Sequence, residues 1–302
     1  MSEGDPIMKK ALLIVNPVSG KQVAKDNFFD IVMTLSQKYE LTVHITKSAS
    51  DLVEAAEKCT LPTIIVCGGD GTLSGVVKGL LKNCNREKIK IGYLPCGTAN
   101  DVAHTLNIPK DLVEAAEYVC KNKAQPHDIG LMGDSAFIYT ASFGSFTKTS
   151  YSTPQEAKNL LGNFAYILNG ASELLSLPGY DVTFEYDSGV IHNKDVTFCG
   201  VSNTHFLGGG MIRYPNETAI LDDGKLELLI VSRPRNLIDI EKIVFAIASK
   251  EYNNDLVKLV HTSFVKIHSK TPIAYTVDGD NGGKYTDLEI NCMPSAINLI
   301  HK

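Results

Sequence analysis

Three short stretches of this chain have the composition of phosphate-binding loops. Gly68-Gly69-Asp70-Gly71-Thr72 follows the apolar run Thr63 to Cys67 and precedes a helical pattern. Consecutive glycines let the backbone approach an anion closely and take positive φ. The start of a helix adds free N–H groups and the positive end of the helix dipole. A carboxylate such as Asp70 repels bound phosphate unless a cation lies between them, so the loop suggests a magnesium nucleotide. A tight turn in which Asp70 caps the helix is the competing reading. Pro95-Cys96-Gly97-Thr98-Ala99-Asn100-Asp101 and Asn16-Pro17-Val18-Ser19-Gly20-Lys21 repeat the pattern after two other apolar runs. In each of these an ordinary turn competes with a ligand loop. Neither GxGxxG nor GxxxxGK[ST] marks these loops, which disfavours a standard dinucleotide fold and a P-loop NTPase.

Two acidic clusters lie later in the chain. Leu221-Asp222-Asp223-Gly224-Lys225 reads either as a plain turn or as a hard-cation site built from carboxylates and turn carbonyls. Val277-Asp278-Gly279-Asp280-Asn281-Gly282-Gly283 reads either as a hairpin turn or as a general base with a partner carboxylate or metal ligand.

The elements that must position these residues fall into two halves. Strand-like runs at Ala11 to Val15, Leu41 to Ile45, Thr63 to Cys67 and Ile89 to Leu94 alternate with helical stretches at Asn27 to Tyr39, Ser50 to Lys58 (capped by Ser50), from after Thr72 through Leu81, Asn100 to Leu106 and Lys110 to Lys121. That alternation predicts a mostly parallel sheet with helices on both faces, with its loops facing one crevice at the strand ends. From about Asp128 the pattern becomes β-rich. Expected strands are Ala136 to Phe143, Asp181 to Tyr186, Lys194 to Val201, Leu226 to Val231, Phe264 to Ser269, Ile273 to Val277 and Asp287 to Asn291. Two helical stretches interrupt them, Gln155 to Leu177 and Leu237 to Lys250. The expected domains are 1–130, with 293–302 as a candidate completion, and 131–292.

With 302 residues, 44% hydrophobic and 21% charged, the chain has the composition of a globular protein of about two domains. A formal net charge of -5 argues against a protein that coats nucleic acid. Seven cysteines without a CxxC pair suggest neither a disulfide framework nor a zinc site. No window approaches the ~20 apolar residues of a membrane span, and the start lacks a signal-peptide pattern. The expectation is a soluble cytoplasmic protein.

Taken together and in order, NPVSGK, GGDGT, LPCGTANDVA, the LDDG turn and VDGDNGGK resemble the soluble bacterial diacylglycerol kinase family, related to sphingosine kinases. GGDGT alone is shared with NAD kinases; GTANDVA and the late acidic loop separate the two. The resemblance covers nearly the whole chain. It implies a Rossmann-like nucleotide domain followed by a β-sandwich lipid domain, with ATP as phosphoryl donor. The acceptor it implies is the primary hydroxyl of a membrane lipid such as diacylglycerol, giving phosphatidic acid. Carried over residue by residue, Asn16, Pro17, Val18, Ser19, Gly20, Gly69, Asp70, Gly71 and Thr72 would contact ATP phosphates. Thr98 would line the same site, Thr46 would lie near the nucleotide, and Asp70 would help organise Mg²⁺. Asp223, with backbone carbonyls of Ile220 and Lys225, would form a structural metal site. Asp280 would accept the proton of the lipid hydroxyl, with Asp278 holding the metal or orienting the loop.

The sequence departs from that family at two places. Asp280 stands where the family usually has Glu, one methylene longer. Ser74-Gly75 stands where the family tends to have Asn-Glu. An NAD kinase-like enzyme and a catalytically silent nucleotide or lipid sensor are the rival readings. A lipid substrate implies transient peripheral contact with the inner face of the membrane, and a homodimer stays open. Phe143 to Leu177, with Phe146, Tyr151, Phe164, Tyr166, Leu174, Lys148 and Lys158, is a candidate lipid-facing segment. A core-packed helix competes with it over Phe164 to Leu175.

Overall fold

The computed structural model describes residues 8–144, 175–207, 212–215 and 220–302. The candidate lipid-facing residues Phe146, Tyr151, Phe164, Tyr166, Leu174, Lys148 and Lys158 lie outside these, as do most of the expected helix Gln155 to Leu177 and the glycines 208–210. The chain divides into two units, 1–127 with 296–302, and 128–295.

The first unit is a parallel sheet with helical connections. In chain order it contains β1 (Lys9–Val15), α1 (Val23–Asp26), α2 (Phe28–Leu35), β2 (Tyr39–Ile45), α3 (Ala49–Glu57), β3 (Thr63–Gly68), α4 (Asp70–Leu80), β4 (Lys90–Pro95), α5 (Asp101–Thr105) and α6 (Leu112–Lys121). Strand order is β2-β1-β3-β4, every pair parallel, with Asn298 and Leu299 of the last strand adding to β4. The crossover from β1 to β2 therefore runs the opposite way to those from β2 to β3 and from β3 to β4. Right-handed crossovers then place α2 on one face and α3 and α4 on the other. The order reverses between β1 and β3, the place where open α/β sheets bind ligands beyond the carboxyl ends of their strands. β3 is buried throughout, as a central strand covered on both faces must be.

Local sequence readings in this unit are corrected in two places. The helix expected over Asn27 to Tyr39 ends at Leu35, and Tyr39 opens β2, where it is buried and paired with Lys9. The cap of α3 is Ser48, not Ser50: the Ser48 hydroxyl accepts a hydrogen bond from Asp51 N–H at 3.1 Å.

The second unit is antiparallel and sandwich-like. It opens with the end of β5 (Lys123–Met132), then β6 (Ser135–Phe137), β7 (Thr140–Gly144), β8 (Tyr180–Tyr186), β9 (Gly189–Ser202), β10 (Phe206–Leu207), β11 (Ile212–Arg213) and β12 (Leu226–Ser232). α7 (Leu237–Ser249), β13 (Val257–Thr262), β14 (Phe264–Val277) and β15 (Asp280–His301) complete it, the last residues of β15 belonging to the first unit. β9 and β14 are long enough to serve two layers. The start of β9 and the start of β14 both pair with β8, while their far ends both pair with β7. Phe143, Phe184, Val201, Leu228, Ile267 and Ile290 fill the space enclosed. On the other side of β12, Leu229 and Val231 pack with Ala246 of α7, Tyr214 and Tyr252. β12 is consequently buried at every position.

Three sequence expectations change here. Ala136 to Phe143 is two strands, β6 and β7, with a break at Ile138-Tyr139. Phe264 to Ser269 and Ile273 to Val277 are one strand, bent where its register with β15 shifts. β5 and β13 are strands that the sequence reading did not separate from their surroundings. No described helix is long and apolar enough to cross a membrane.

Candidate active site

In the parallel unit, the loops after β1, β3 and β4 converge because their strands are neighbours. Asn16 N–H donates to Cys67 C=O and Cys96 N–H to Gly68 C=O, each at 2.9 Å, extending the ladder past the strand ends. The Asn16 amide donates to the Thr72 hydroxyl at 3.0 Å, tying the first loop to the second, and accepts from Val18 N–H at 3.2 Å. Gly20 has φ +58, and a Cβ there would lie 1.7 Å from the Cys96 carbonyl oxygen. A Cβ on Gly97 would lie 2.7 Å from Gly69 Cα. Glycine is what lets these three turns close on one another. Thr46 N–H donates to Val15 C=O at 2.9 Å, so this residue also stands at the same sheet end. Val18, Gly71 and Thr98 are exposed, whereas Thr72 is buried. The N–H groups at the start of α4 open beside this cluster, with Gly69 as its cap residue.

Asp70 is held within it. Its carboxylate accepts from Asp101 N–H at 3.0 Å, Val102 N–H at 3.3 Å and the Tyr93 hydroxyl at 3.4 Å. It thus joins the start of α4 to the start of α5, a cap across loops and not on its own helix. Burial, and then the Asp70 charge, push the Tyr93 phenol well above its ordinary range, which keeps it a proton donor to that carboxylate. Asn100, with φ 54, closes the neighbouring loop by accepting from Gly97 N–H at 2.8 Å and donating to Gly97 C=O at 3.0 Å. Cys59, Cys67, Cys96 and Cys199 are buried, while Cys84 is exposed.

The Ser74-Gly75 departure falls at a close contact between helices. Both residues lie on α4 and are buried. A Cβ on Gly75 would lie 2.5 Å from Leu52 Cδ2 of α3, and one on Gly79 2.3 Å from Val53 C=O. Here position 75 faces the neighbouring helix, so a longer side chain requires the Leu52 side chain to shift.

In the antiparallel unit, Asp278-Gly279 is a two-residue hairpin turn between β14 and β15, both residues at positive φ (47 and 88). That is the geometry of a type I′ turn, for which Asp-Gly is a favoured pair. The Asp278 carboxylate accepts from the N–H groups of Ile138, Tyr139 and Thr140 at 3.1, 3.0 and 3.0 Å, and its own N–H donates to Thr140 C=O at 2.8 Å. Asp278 therefore locks the hairpin onto the break between β6 and β7, which is why that expected strand is interrupted. Asp280 is exposed, two residues further on, at the first pair of β15 opposite Val277.

The LDDG turn is held from below by residues that the sequence reading missed. Asp128 is fully buried, and its carboxylate accepts from Gly224 N–H and Ser295 N–H, each at 2.6 Å. Burial is the main cause of its raised pKa, with Asp223 and Asp222 adding to it. The Asn203 amide donates to the carbonyls of Asp128 at 2.7 Å and Leu221 at 3.2 Å. Asp223 places one carboxylate oxygen 3.1 Å from His261 Nε2 and accepts from Lys225 N–H at 3.0 Å with the other. Buried Glu227 lies 3.8 Å from the same His261 nitrogen, and burial first, then the Asp223 charge, hold its carboxyl well above the usual range. Among the described residues no group of three or more His, Cys, Asp or Glu is arranged to hold a metal. The donor types nevertheless suit a hard cation: carboxylates concentrate at a turn, and a carboxylate already hydrogen-bonded keeps further lone pairs. An aspartate at the head of the apolar run Ile129 to Met132 was the signal available for Asp128.

Comparison with known proteins gives a consistent result. Residues 10–132 match the model of the diacylglycerol kinase catalytic domain. Residues 147–301 match the YegS C-terminal NAD kinase beta sandwich-like domain. A curated diacylglycerol kinase from Bacillus subtilis strain 168 is 33% identical over 281 residues, covering 91% of each chain. One from Staphylococcus aureus strain JH9 is 33% identical over 283 residues, covering 91% of this chain and 87% of that protein. The crystal structure of a diacylglycerol kinase from Bacillus anthracis strain Sterne shares the fold, with TM-score 0.77 and 23% identity over 99% of this chain and 98% of that one.

Proposed function

This chain belongs to the diacylglycerol kinase family, and from that we propose that it transfers the γ-phosphoryl group of ATP to the primary hydroxyl of a diacylglycerol, giving phosphatidic acid. The observation that carries this reading is the convergence of three glycine-bearing loops at neighbouring strand ends, within the residues that match the catalytic domain.

The parallel unit is the nucleotide domain, Rossmann-like in arrangement, and the antiparallel unit takes the lipid. Phosphoryl transfer depends on positioning and on offsetting charge more than on covalent catalysis. The loops Asn16 to Gly20 and Gly69 to Thr72 contact the ATP phosphates, the start of α4 offering its first N–H groups, with Thr98 and Thr46 at the edge of the same site. Asp70 keeps the loops after β3 and β4 in register through the N–H groups of Asp101 and Val102. Mg²⁺ would neutralise charge on the phosphates, with Asp70 as its partner in this chain. Asp280 accepts the proton of the lipid hydroxyl. Asp278, tied to three backbone N–H groups, orients the hairpin that carries Asp280. The acidic LDDG turn supports a second, structural cation at Asp223 with the carbonyls of Ile220 and Lys225. Contact with the membrane is peripheral and transient, from the cytoplasmic side.

Labelled ATP offered with dispersed diacylglycerol, a panel of other lipids, or NAD tests the reading. Label in phosphatidic acid supports it. Label in NAD shifts the assignment to an NAD kinase-like enzyme. ATP binding without transfer to any acceptor makes the protein a sensor.

A further inference from the structure

The outer face of α7 carries exposed apolar side chains that the other described elements do not cover. Ile238 is 62% exposed, Phe245 65% and Leu237 49%, although Ile240 and Ala246 of the same helix are buried. Ile238 and Phe245 are seven residues apart and so share one face of the helix. Glu241 lies on that stripe too. Large apolar side chains gathered on one exposed helix face mark an interaction surface, unlike apolar residues scattered singly.

The same helix borders a groove of about 460 Å³ in the antiparallel unit. Lys194, Arg233, Arg235, Lys242 and Lys258 line it, against the three carboxylates of Asp195, Asp239 and Asp255. Asp195 is shared between two of the cations, 2.8 Å from Arg233 Nε and 3.5 Å from Arg235 Nη2. Asp239 accepts from the Arg235 backbone N–H at 2.9 Å, which leaves it committed to the start of α7. The groove is thus cationic on a chain whose formal net charge is -5. A second copy of the chain meeting this face symmetrically would bring two such grooves together in mutual repulsion.

We propose that the outer face of α7 and its basic groove dock the protein on an anionic phospholipid bilayer. Ile238, Phe245 and Leu237 enter the boundary between headgroups and acyl chains, and the groove cations meet lipid phosphates. The surface serves an enzyme that draws its acceptor from a membrane, so the inference rests on the lipid-kinase reading. It is separable from it by experiment.

The test is co-sedimentation of the full chain with vesicles of phosphatidylcholine alone or mixed with phosphatidylglycerol. Wild type binds the mixed vesicles, more weakly as salt rises, and binds phosphatidylcholine poorly. The variant Lys242→Glu/Lys258→Glu loses at least about tenfold in affinity for the mixed vesicles, in line with the electrostatic attraction of several lysines to anionic lipid. Ile238→Ser/Phe245→Ser also binds severalfold more weakly but keeps its salt dependence. Both variants melt at the wild-type temperature and phosphorylate diacylglycerol in detergent micelles at the wild-type rate. Vesicle binding unchanged in either folded variant overturns the proposal. So does a drop in the mass of the protein alone in the serine variant, which would make the face a contact between copies. If no form of the protein phosphorylates any lipid, the kinase reading fails while vesicle binding still decides the docking surface.

Discussion

In the parallel unit the reactive loops are locked by one another; in the antiparallel unit they are locked by carboxylates that reach into backbone N–H groups. The first arrangement uses close approach of main chains: Gly20 against the Cys96 carbonyl, Gly97 against Gly69, and Asn16 bonded to Thr72. The second uses buried or half-buried charge: Asp278 on the N–H groups of residues 138–140, and Asp128 on those of Gly224 and Ser295. Parallel neighbours deliver their loops to a common edge, so little more than small residues is required. Antiparallel hairpins end singly, and each needs an anchor from another element. Asp70 belongs to both styles, a loop residue in the first unit whose carboxylate caps a second helix.

The comparison is sharpest at the two carboxylates with proposed catalytic roles, one in each unit. Asp280→Asn removes the proposed proton acceptor from an exposed position. It should lower kcat by roughly 100-fold or more with no change in melting temperature. Asp70→Ala should lower kcat by a similar factor, about 100-fold. It should also speed hydrogen exchange at Asp101 and Val102, which Asp280→Asn leaves alone. Near wild-type turnover in either variant would remove its assigned role, and unchanged exchange at α5 would break the picture of Asp70 as a clamp.

Asp278→Ala leaves three backbone N–H groups without their acceptor and should cost about 2–3 kcal/mol of stability, read by denaturant unfolding. Activity would fall with stability, in contrast to Asp280→Asn. An Asp278→Ala protein as stable as wild type would show that the hairpin holds itself. Gly75→Glu introduces a side chain where Leu52 already packs and should destabilise by about 1–3 kcal/mol without restoring activity lost elsewhere. A gain in turnover instead would mean that position 75 reaches the substrate. The smallest effect is expected for Asp223→Ala. It should abolish any rise in melting temperature with Mg²⁺ while leaving kcat within a few-fold. Superimposable melting curves of wild type and variant across Mg²⁺ concentrations would discard the cation at that turn.

Local signals served the first unit well. Glycine loops directly after apolar runs mark the ends of buried parallel strands, and the strand ends fell where those loops begin. Errors there were local: Tyr39 has the helical spacing of its predecessors, but pairing with Lys9 captures it into β2. The second unit was less legible. β9, β14 and β15 run through several turn-like residues because long strands can bend between layers, which no local window reveals. β13 is stabilised by its ladder with β12, a partner some thirty residues earlier.

What the sequence settled by itself was the presence of the loops, their order and the family pattern they compose, since these depend on residue types at short spacing. Only the folded chain decided which carboxylates are spoken for. Asp70 and Asp278 look alike in sequence to any exposed acid in a glycine-rich turn, yet both are bound to backbone N–H groups of segments distant in the chain. Hydrogen bonds of that kind are set by where separate elements come together, and that is a property of packing, not of neighbouring residues.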